Sequence, residues 1–340
     1  MIETLTFWEY AASPAPDHNE WYYFKYTILT LAYFMASTIA IHYICMRYNK
    51  VYQDMGSLKK HEYRLYYGSI QHAIVAVAFS TISMWYICGD GKTVFNNDEC
   101  MNTVRYIHIW ALLHTCAYFM FDFTWLFFVL QASSPLDYQT YAHHIIATTT
   151  FYQTLYFMDF MTVFGTMLLF VEVSTVFVSM RWLLFTHRLS ESKWYGINAL
   201  MMFFSFLIVR VIFQFYMIFW HASGWIYEEY GKKNISVYQG FVITQMAIMV
   251  VLSFVLNAYW FYLMVKMITR VIKRVLSPPK EDEHLETVEL VKADALKERH
   301  NDEECEGNST SGSNAPDQIE EEQRDSELSN DKCEVLGMEV

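Results

Sequence analysis

Residues 108–130 read HIWALLHTCAYFMFDFTWLFFVL, an apolar run broken only by His108, His114 and Asp122 as ionisable residues. A helix needs ~20 such residues to cross the hydrocarbon core of a bilayer. A carboxylate or imidazole at that depth is costly unless it faces other protein or a cavity. The run therefore predicts a membrane helix with at least one face turned toward neighbouring helices. Comparable runs lie at about 24–46, 69–88, 142–158, 161–180, 198–220 and 239–265, and 54% of the chain is hydrophobic. With 107–130 they predict an all-α membrane protein of seven transmembrane helices. The fourth is short, separated from the fifth only around Met158-Asp159. Trp21, Tyr22, Tyr23, Trp85, Tyr86, Trp182 and Trp220 cluster at span ends, as interfacial belts require. The first run exceeds a signal-peptide core and follows Glu3, Glu9, Asp17 and Glu20, so it reads as a retained span.

Orientation follows from the basic residues. Loop 1–2, loop 5–6 and the segment after span 7 carry 13 Lys or Arg, whereas the opposite side carries five (Lys25, Lys92, Arg105, Lys232, Lys233). That bias predicts a lumenal amino terminus and a cytosolic carboxyl terminus. Cys88 and Cys100 flank GDGKTVFNNDE on the predicted lumenal side, where an oxidising compartment permits a disulfide or leaves two thiols. Cys305 and Cys333 fall on the cytosolic side. The sequon at Asn234 lies too close to span 7 for modification to be expected, and the one at Asn308 is on the wrong side.

The net charge of −12 comes from one end. Residues 281–340 hold 20 Asp or Glu against five Lys or Arg. With Ser, Asn and Gly in place of apolar periodicity, this tail is expected to be disordered. The expected divisions are 1–59 (lumenal segment, first span, cytosolic loop), 60–270 (six spans) and 271–340 (cytosolic acidic tail). No phosphate loop or zinc spacing occurs, so no metal or cofactor is expected. The partners expected are membrane lipids, not nucleic acid.

The polar residues inside the spans carry the functional information. His143 and His144 sit together in YAHHIIATTTFY (141–152), and adjacent helical residues point about 100° apart, so the two rings face different surroundings. Ser69 and His72 lie one turn apart in span 2. Glu172 falls near the middle of span 5, followed by Ser174 and Thr175; Arg210 falls in span 6, with Gln214 one turn on. Polar contacts between membrane helices average only ~0.6 kcal/mol, a weak reason for so many of them. Interhelical pairing, chiefly Arg210 with Glu172 or Asp122, is the plainer reading. A cavity lined by His72, Asp122, Glu172, Arg210 and the histidine pair is the functional one.

Five segments in order, GSIQHAIV (68–75), AYFMFDF (117–123), YAHHIIA (141–147), GTMLLFVEVSTVFVSMRWLL (165–184) and FLIVRVIF (206–213), resemble the TLC domain family of multi-pass endomembrane proteins, over about residues 60–268. Its small type 4-like members look most similar. The resemblance implies that spans 2–7 form a six-helix barrel around a lipid-accepting pocket, with span 1 outside. Ceramide synthases are distant members in which a histidine pair takes part in acyl transfer from acyl-CoA. His143 and His144 match that pair, with Glu172 as the one acid in the next span. The synthases' His-Asp couple there is replaced by Val171-Glu172-Val173.

Two readings follow. The favoured one is an endomembrane protein, of the endoplasmic reticulum or a related membrane, that binds or senses acyl lipids and influences lipid composition. The alternative is an acyltransferase with acyl-CoA as substrate and His143, His144 and Glu172 as catalytic residues. A seven-span receptor fits the topology but leaves the histidine pair unexplained.

Overall fold

Helix starts follow local capping chemistry. The Asn19 side chain accepts from the Tyr22 amide and opens α2 (Glu20–Tyr48). Asn49 ends that helix and caps the short α3 (Lys50–Gln53) with its side chain. Ser134 and Asp137 bond each other's backbone amides around Pro135, a reciprocal cap for α7 (Pro135–Phe157). Before α2, α1 (Phe7–Ala12) has a Thr6–Glu9 capping box, whose hydrogen bonds hold the Glu9 carboxyl below its ordinary pKa. The other elements are α4 (Ser57–Trp85), α5 (Asp98–Asn102), α6 (Tyr106–Thr124), α8 (Phe160–Leu168), α9 (Val173–Thr186), α10 (Lys193–Ser205), α11 (Gln214–Tyr216), α12 (Ser223–Tyr230) and α13 (Val237–Leu276). Wider π-helical turns at Trp125–Val129, Phe206–Phe213 and Met217–Ala222 join or extend helices, and a tight 3-10 turn, Leu169–Glu172, links α8 to α9.

This computed structural model describes residues 6–15, 19–89, 91–157, 160–230 and 237–276. Met158-Asp159, the Asn234 sequon and the acidic tail with Cys305, Cys333 and Asn308 lie outside the described residues. Among those described, six helical stretches are long and apolar enough to cross a membrane: Glu20–Tyr48, Ser57–Trp85, Tyr106–Val129, Phe160–Thr186, Lys193–Ala222 and Gly240–Thr269. They fall where six of the seven spans are expected. At the seventh expected position, 142–158, stands α7, whose 23 residues are long enough to cross but which is not among the six helices apolar enough to do so. It is the more polar helix because it carries His143, His144, Gln139 and several threonines. Helix α4 begins about two turns before Arg64, in polar sequence that apolarity alone does not delimit.

Contacts cluster into two units, residues 1–262 and 263–340. In the second, the described part is helical, with Thr269 Oγ1 donating to the Val265 carbonyl. Within the first, helix neighbours close a ring. Helix α4 packs on α6, α6 on α7, α9 on α10, and α4 on α9. Trp260 Nε1 donates to Gln139 Oε1 (2.7 Å), joining α13 to α7, and Arg210 joins α13 to the Phe206–Phe213 turn through Asn257. The remaining long helix, α2, lies against α4 and α6 from outside this ring. Helix α8 is buried at all nine positions and packs against α4, α6 and α7, so it fills the ring interior at its level. At Gly165, atoms of Leu112, Thr154 and Phe151 lie 3.5–3.6 Å from where a Cβ would stand, which leaves room for a methyl but not for a larger side chain.

At the Tyr106 end of α6, the amino-terminal segment closes the bundle. Phe7 stacks on Trp110 and Tyr10 on Tyr106, and the Ala15 amide donates to the Val104 carbonyl. Cys88 and Cys100 are bonded, with Cα atoms 5.7 Å apart, and the loop between them turns through left-handed conformations at Gly89 and Gly91.

Candidate functional site

The two histidines of α7 part company, as their helical phase demands. His143 turns toward α13, its ring edge-on to Trp260 at 5.6 Å. His144 turns toward α6, where Phe119 stacks on it at 4.8 Å and Asp122 Oδ2 lies 3.3 Å from its Nδ1. That last contact is close but not aligned as a hydrogen bond, since Nδ1 has no bonded partner. The other Asp122 oxygen accepts from the Tyr118 hydroxyl at 3.0 Å. Asp122 therefore serves the histidine side of the bundle rather than Arg210.

Arg210 pairs with Glu172 instead, and the pair belongs to a larger network. Arg210 Nε donates to Ser174 Oγ (2.7 Å), Nη1 to Asn257 Oδ1 (3.0 Å), and Nη2 to Thr175 Oγ1 (2.7 Å) and Glu172 Oε2 (3.4 Å). Thr175 in turn donates to Glu172, and Asn257 Nδ2 donates to Gln214 Oε1 at 2.8 Å. Each nitrogen of the guanidinium has an acceptor, and the Phe206 ring lies 5.3 Å from its centre. A buried charge is tolerated when paired and hydrogen-bonded in this way. Three parts of the bundle, the Leu169–Glu172 turn with α9, the Phe206–Phe213 turn with α11, and α13, are thereby joined.

Between these groups lies a cavity of about 50 Å³, lined on one side by Phe119, His143, Ile146, Ala147, Thr150 and Phe151, and on the other by Leu168, Leu169, Val171, Glu172, Gln214, Met249, Val250, Ser253 and Asn257. It brings His143 and Glu172 together. Of the other expected site residues, His144, Asp122, His72 and Arg210 do not line it. Arg210 stands behind Glu172. His72 is fully buried between Tyr118 (rings 4.1 Å apart and nearly parallel) and His114 (5.5 Å), and neither of its nitrogens has a protein partner. Ser69, one turn from His72, accepts instead from Ser179 of α9. Among the described residues, no group of three His, Cys, Asp or Glu side chains converges as metal ligands.

The model of the TLC domain matches residues 68–266. The chain belongs to the TLC-domain family. It is an integral membrane protein, and the TLC domain associates it with membrane lipids. No curated protein matches the chain.

Asn257, Gln139 and Trp260 are the site residues that sequence reading missed. An amide in the apolar stretch FVLNAYWF (254–261) is a weaker signal than a charge, yet Asn257 is 1% exposed and its side chain both donates and accepts. Its position in a membrane helix, read by the standard applied to Glu172, marks it as a partner for something.

Proposed function

We propose that this TLC-domain protein binds acyl lipids of an endomembrane in the cavity between α7, the α8–α9 span and α13, and so influences bilayer lipid composition. The supporting observation is the division of the cavity walls. Ile146, Ala147, Phe151, Leu168, Met249 and Val250 offer an apolar slot, and His143, Glu172, Gln214 and Asn257 gather polar atoms beside it. That is the chemistry of a site for an acyl chain with a polar end. At about 50 Å³ the cavity holds on the order of one or two waters. An acyl chain therefore enters by displacing a wall, and Met249 and half-buried Val250 and Ser253 on α13 form the more yielding side.

A lumenal amino terminus and a cytosolic carboxyl terminus belong to the same reading. The amino-terminal segment touches the chain just before α6, beside the Cys88–Cys100 bridge. A disulfide persists in an oxidising compartment, which supports that end as lumenal. The 13-to-five basic bias points the same way.

The second reading, acyl transfer from acyl-CoA, gains one specific observation. Asp122 Oδ2 lies 3.3 Å from His144 Nδ1, so α6 brings a carboxylate beside the pair although the His-Asp couple is lacking at Val171-Glu172-Val173. Turned into hydrogen-bond alignment, such a carboxylate would orient the imidazole as base or nucleophile. Against it, the Glu172 carboxylate already accepts from Arg210 and Thr175 and so belongs to the network that joins the helices. Binding is therefore favoured over transfer.

Intact-protein mass spectrometry after incubation with a long-chain acyl-CoA separates the two. Binding alone predicts an unchanged protein mass, and copurifying lipids that differ between wild type and His143→Ala. A mass gain of one acyl chain, lost in His143→Ala or His144→Ala, establishes the enzyme reading instead. Identical lipids in both forms with no mass gain overturn both.

A further inference from the structure

Outside the helix ring lies a second concavity. Tyr26, Leu29, Thr30 and Tyr33 of α2, Val75 and Phe79 of α4, and His114 of α6 line an open groove of about 330 Å³. Two properties set it apart from an ordinary groove between membrane helices. Among the described residues no Asp, Glu, Lys or Arg lines it, and yet it gathers polar atoms. His114 is 7% exposed with its Nε2 unpartnered, and its ring packs between Phe34 and His72. The Thr30 hydroxyl, unlike those of Thr27 and Thr38 on the same helix, forms no hydrogen bond among the described residues. A buried imidazole without a partner leaves unmet hydrogen-bonding capacity, which native proteins seldom tolerate.

Depth narrows the ligand. His114 lies eight residues into α6, about 12 Å along the helix, and Thr30 ten residues into α2, about 15 Å. A phosphate or carboxylate brought to that level without a cation beside it would bear a large desolvation cost, whereas a hydroxyl bears a small one that a single hydrogen bond offsets. The walls select further. Tyr26, Tyr33 and Phe79 present rings, and Leu29 and Val75 present branched side chains, in a short space. Flat and branched surfaces complement a rigid ring body better than a long flexible chain, which would lose conformational freedom on entering. We infer that the α2–α4–α6 groove, whose polar floor is His114, binds a sterol-type alcohol, the ligand hydroxyl meeting the imidazole and the ring body lying against Tyr26, Tyr33 and Phe79.

The test uses the full chain reconstituted in phosphatidylcholine vesicles carrying a trace of photoactivatable probe. Four probes are compared: a sterol with a free hydroxyl, the same sterol as its methyl ether, a diacylglycerol and a phosphatidylcholine. The free sterol should label peptides containing residues 26–33 or 75–79. The ether should label them roughly two- to tenfold less, the range for one hydrogen bond. His114→Phe should erase the difference between sterol and ether. Val75→Phe, which fills the groove from α4 and leaves His114 in place, should remove labelling while the protein elutes normally in detergent. Equal labelling by the ether and the alcohol in wild type, stronger labelling by diacylglycerol or phosphatidylcholine, or retained labelling in Val75→Phe would each overturn the assignment. Acyl lipids copurifying with the His143 cavity are read separately in the same preparation, so the two sites fail or succeed independently.

Discussion

Replacing Arg210 with leucine removes five contacts at once: bonds to Ser174, Asn257, Thr175 and Glu172, and the packing on the Phe206 ring. If each of the four bonds were worth the ~0.6 kcal/mol average for polar contacts between membrane helices, the loss would be about 2.4 kcal/mol. That sum omits the Glu172 carboxylate, left 5% exposed with Thr175 as its remaining hydrogen-bond partner. Breaking one side of a buried ion pair costs ~3–5 kcal/mol, and the stranded carboxylate therefore outweighs the lost bonds. At ~2–4 °C per kcal/mol for a domain of this size, the melting temperature should fall by roughly 6–20 °C. Fluorescence-detected size-exclusion chromatography after heating in mild detergent measures it. The double variant Arg210→Leu/Glu172→Gln should recover about half the loss, because a neutral glutamine still accepts from Thr175. Arg210→Lys should not rescue, since one ammonium cannot reach acceptors on three elements. A melting temperature at the wild-type value in Arg210→Leu, or rescue by Asp122→Asn instead of Glu172→Gln, would refute the network as described.

Other expectations are simpler to check. Cys100→Ser should lower stability by about 3 kcal/mol, the loop-closure value for a bridge across 12 residues; in wild type, a heavy maleimide should alkylate Cys88 and Cys100 only after reduction. Gly165→Ala should be tolerated because its Cβ would meet neighbours at ordinary contact distance, whereas Gly165→Leu should abolish a monodisperse elution peak by driving α8 away from α6 and α7. In sealed microsomes, added protease should destroy an epitope at the carboxyl end and spare one at the amino end; the reverse pattern would invert the proposed orientation.

Much of this arrangement was legible in the sequence because membrane helices announce themselves by length and apolarity, and because a charge in such a helix needs a partner. The choice offered to Arg210, Glu172 or Asp122, was correctly framed, and geometry selects Glu172. Which histidine faces the cavity was not legible. Adjacent residues point about 100° apart, but sequence does not fix the rotation of α7 about its axis; packing against Phe119 and Trp260 does. The expectation that His72, His144 and Arg210 share one cavity fails for the same reason. They lie on interior faces at different rotations, and the bundle distributes them among a stacked histidine cluster, the Asp122 contact and the Glu172 network. The Asp122–His144 approach joins residues on different helices, a relation no local motif encodes. The docking of α1 on Trp110 was missed because six residues of mixed aromatic and acidic character carry no periodicity long enough to read.

Photolabelling with an acyl lipid tests the central claim most directly. A phospholipid carrying a diazirine near the middle of one acyl chain, reconstituted with the full chain and irradiated, should label peptides containing Ile146–Phe151 and Met249–Ser253, and Ala147→Phe should suppress that labelling without changing the melting temperature by more than a few degrees. Labelling confined to outward positions such as Leu200, Ile208 and Ile248, unchanged by Ala147→Phe, would show that acyl chains only bathe the protein and that the His143–Glu172 cavity is not a lipid site.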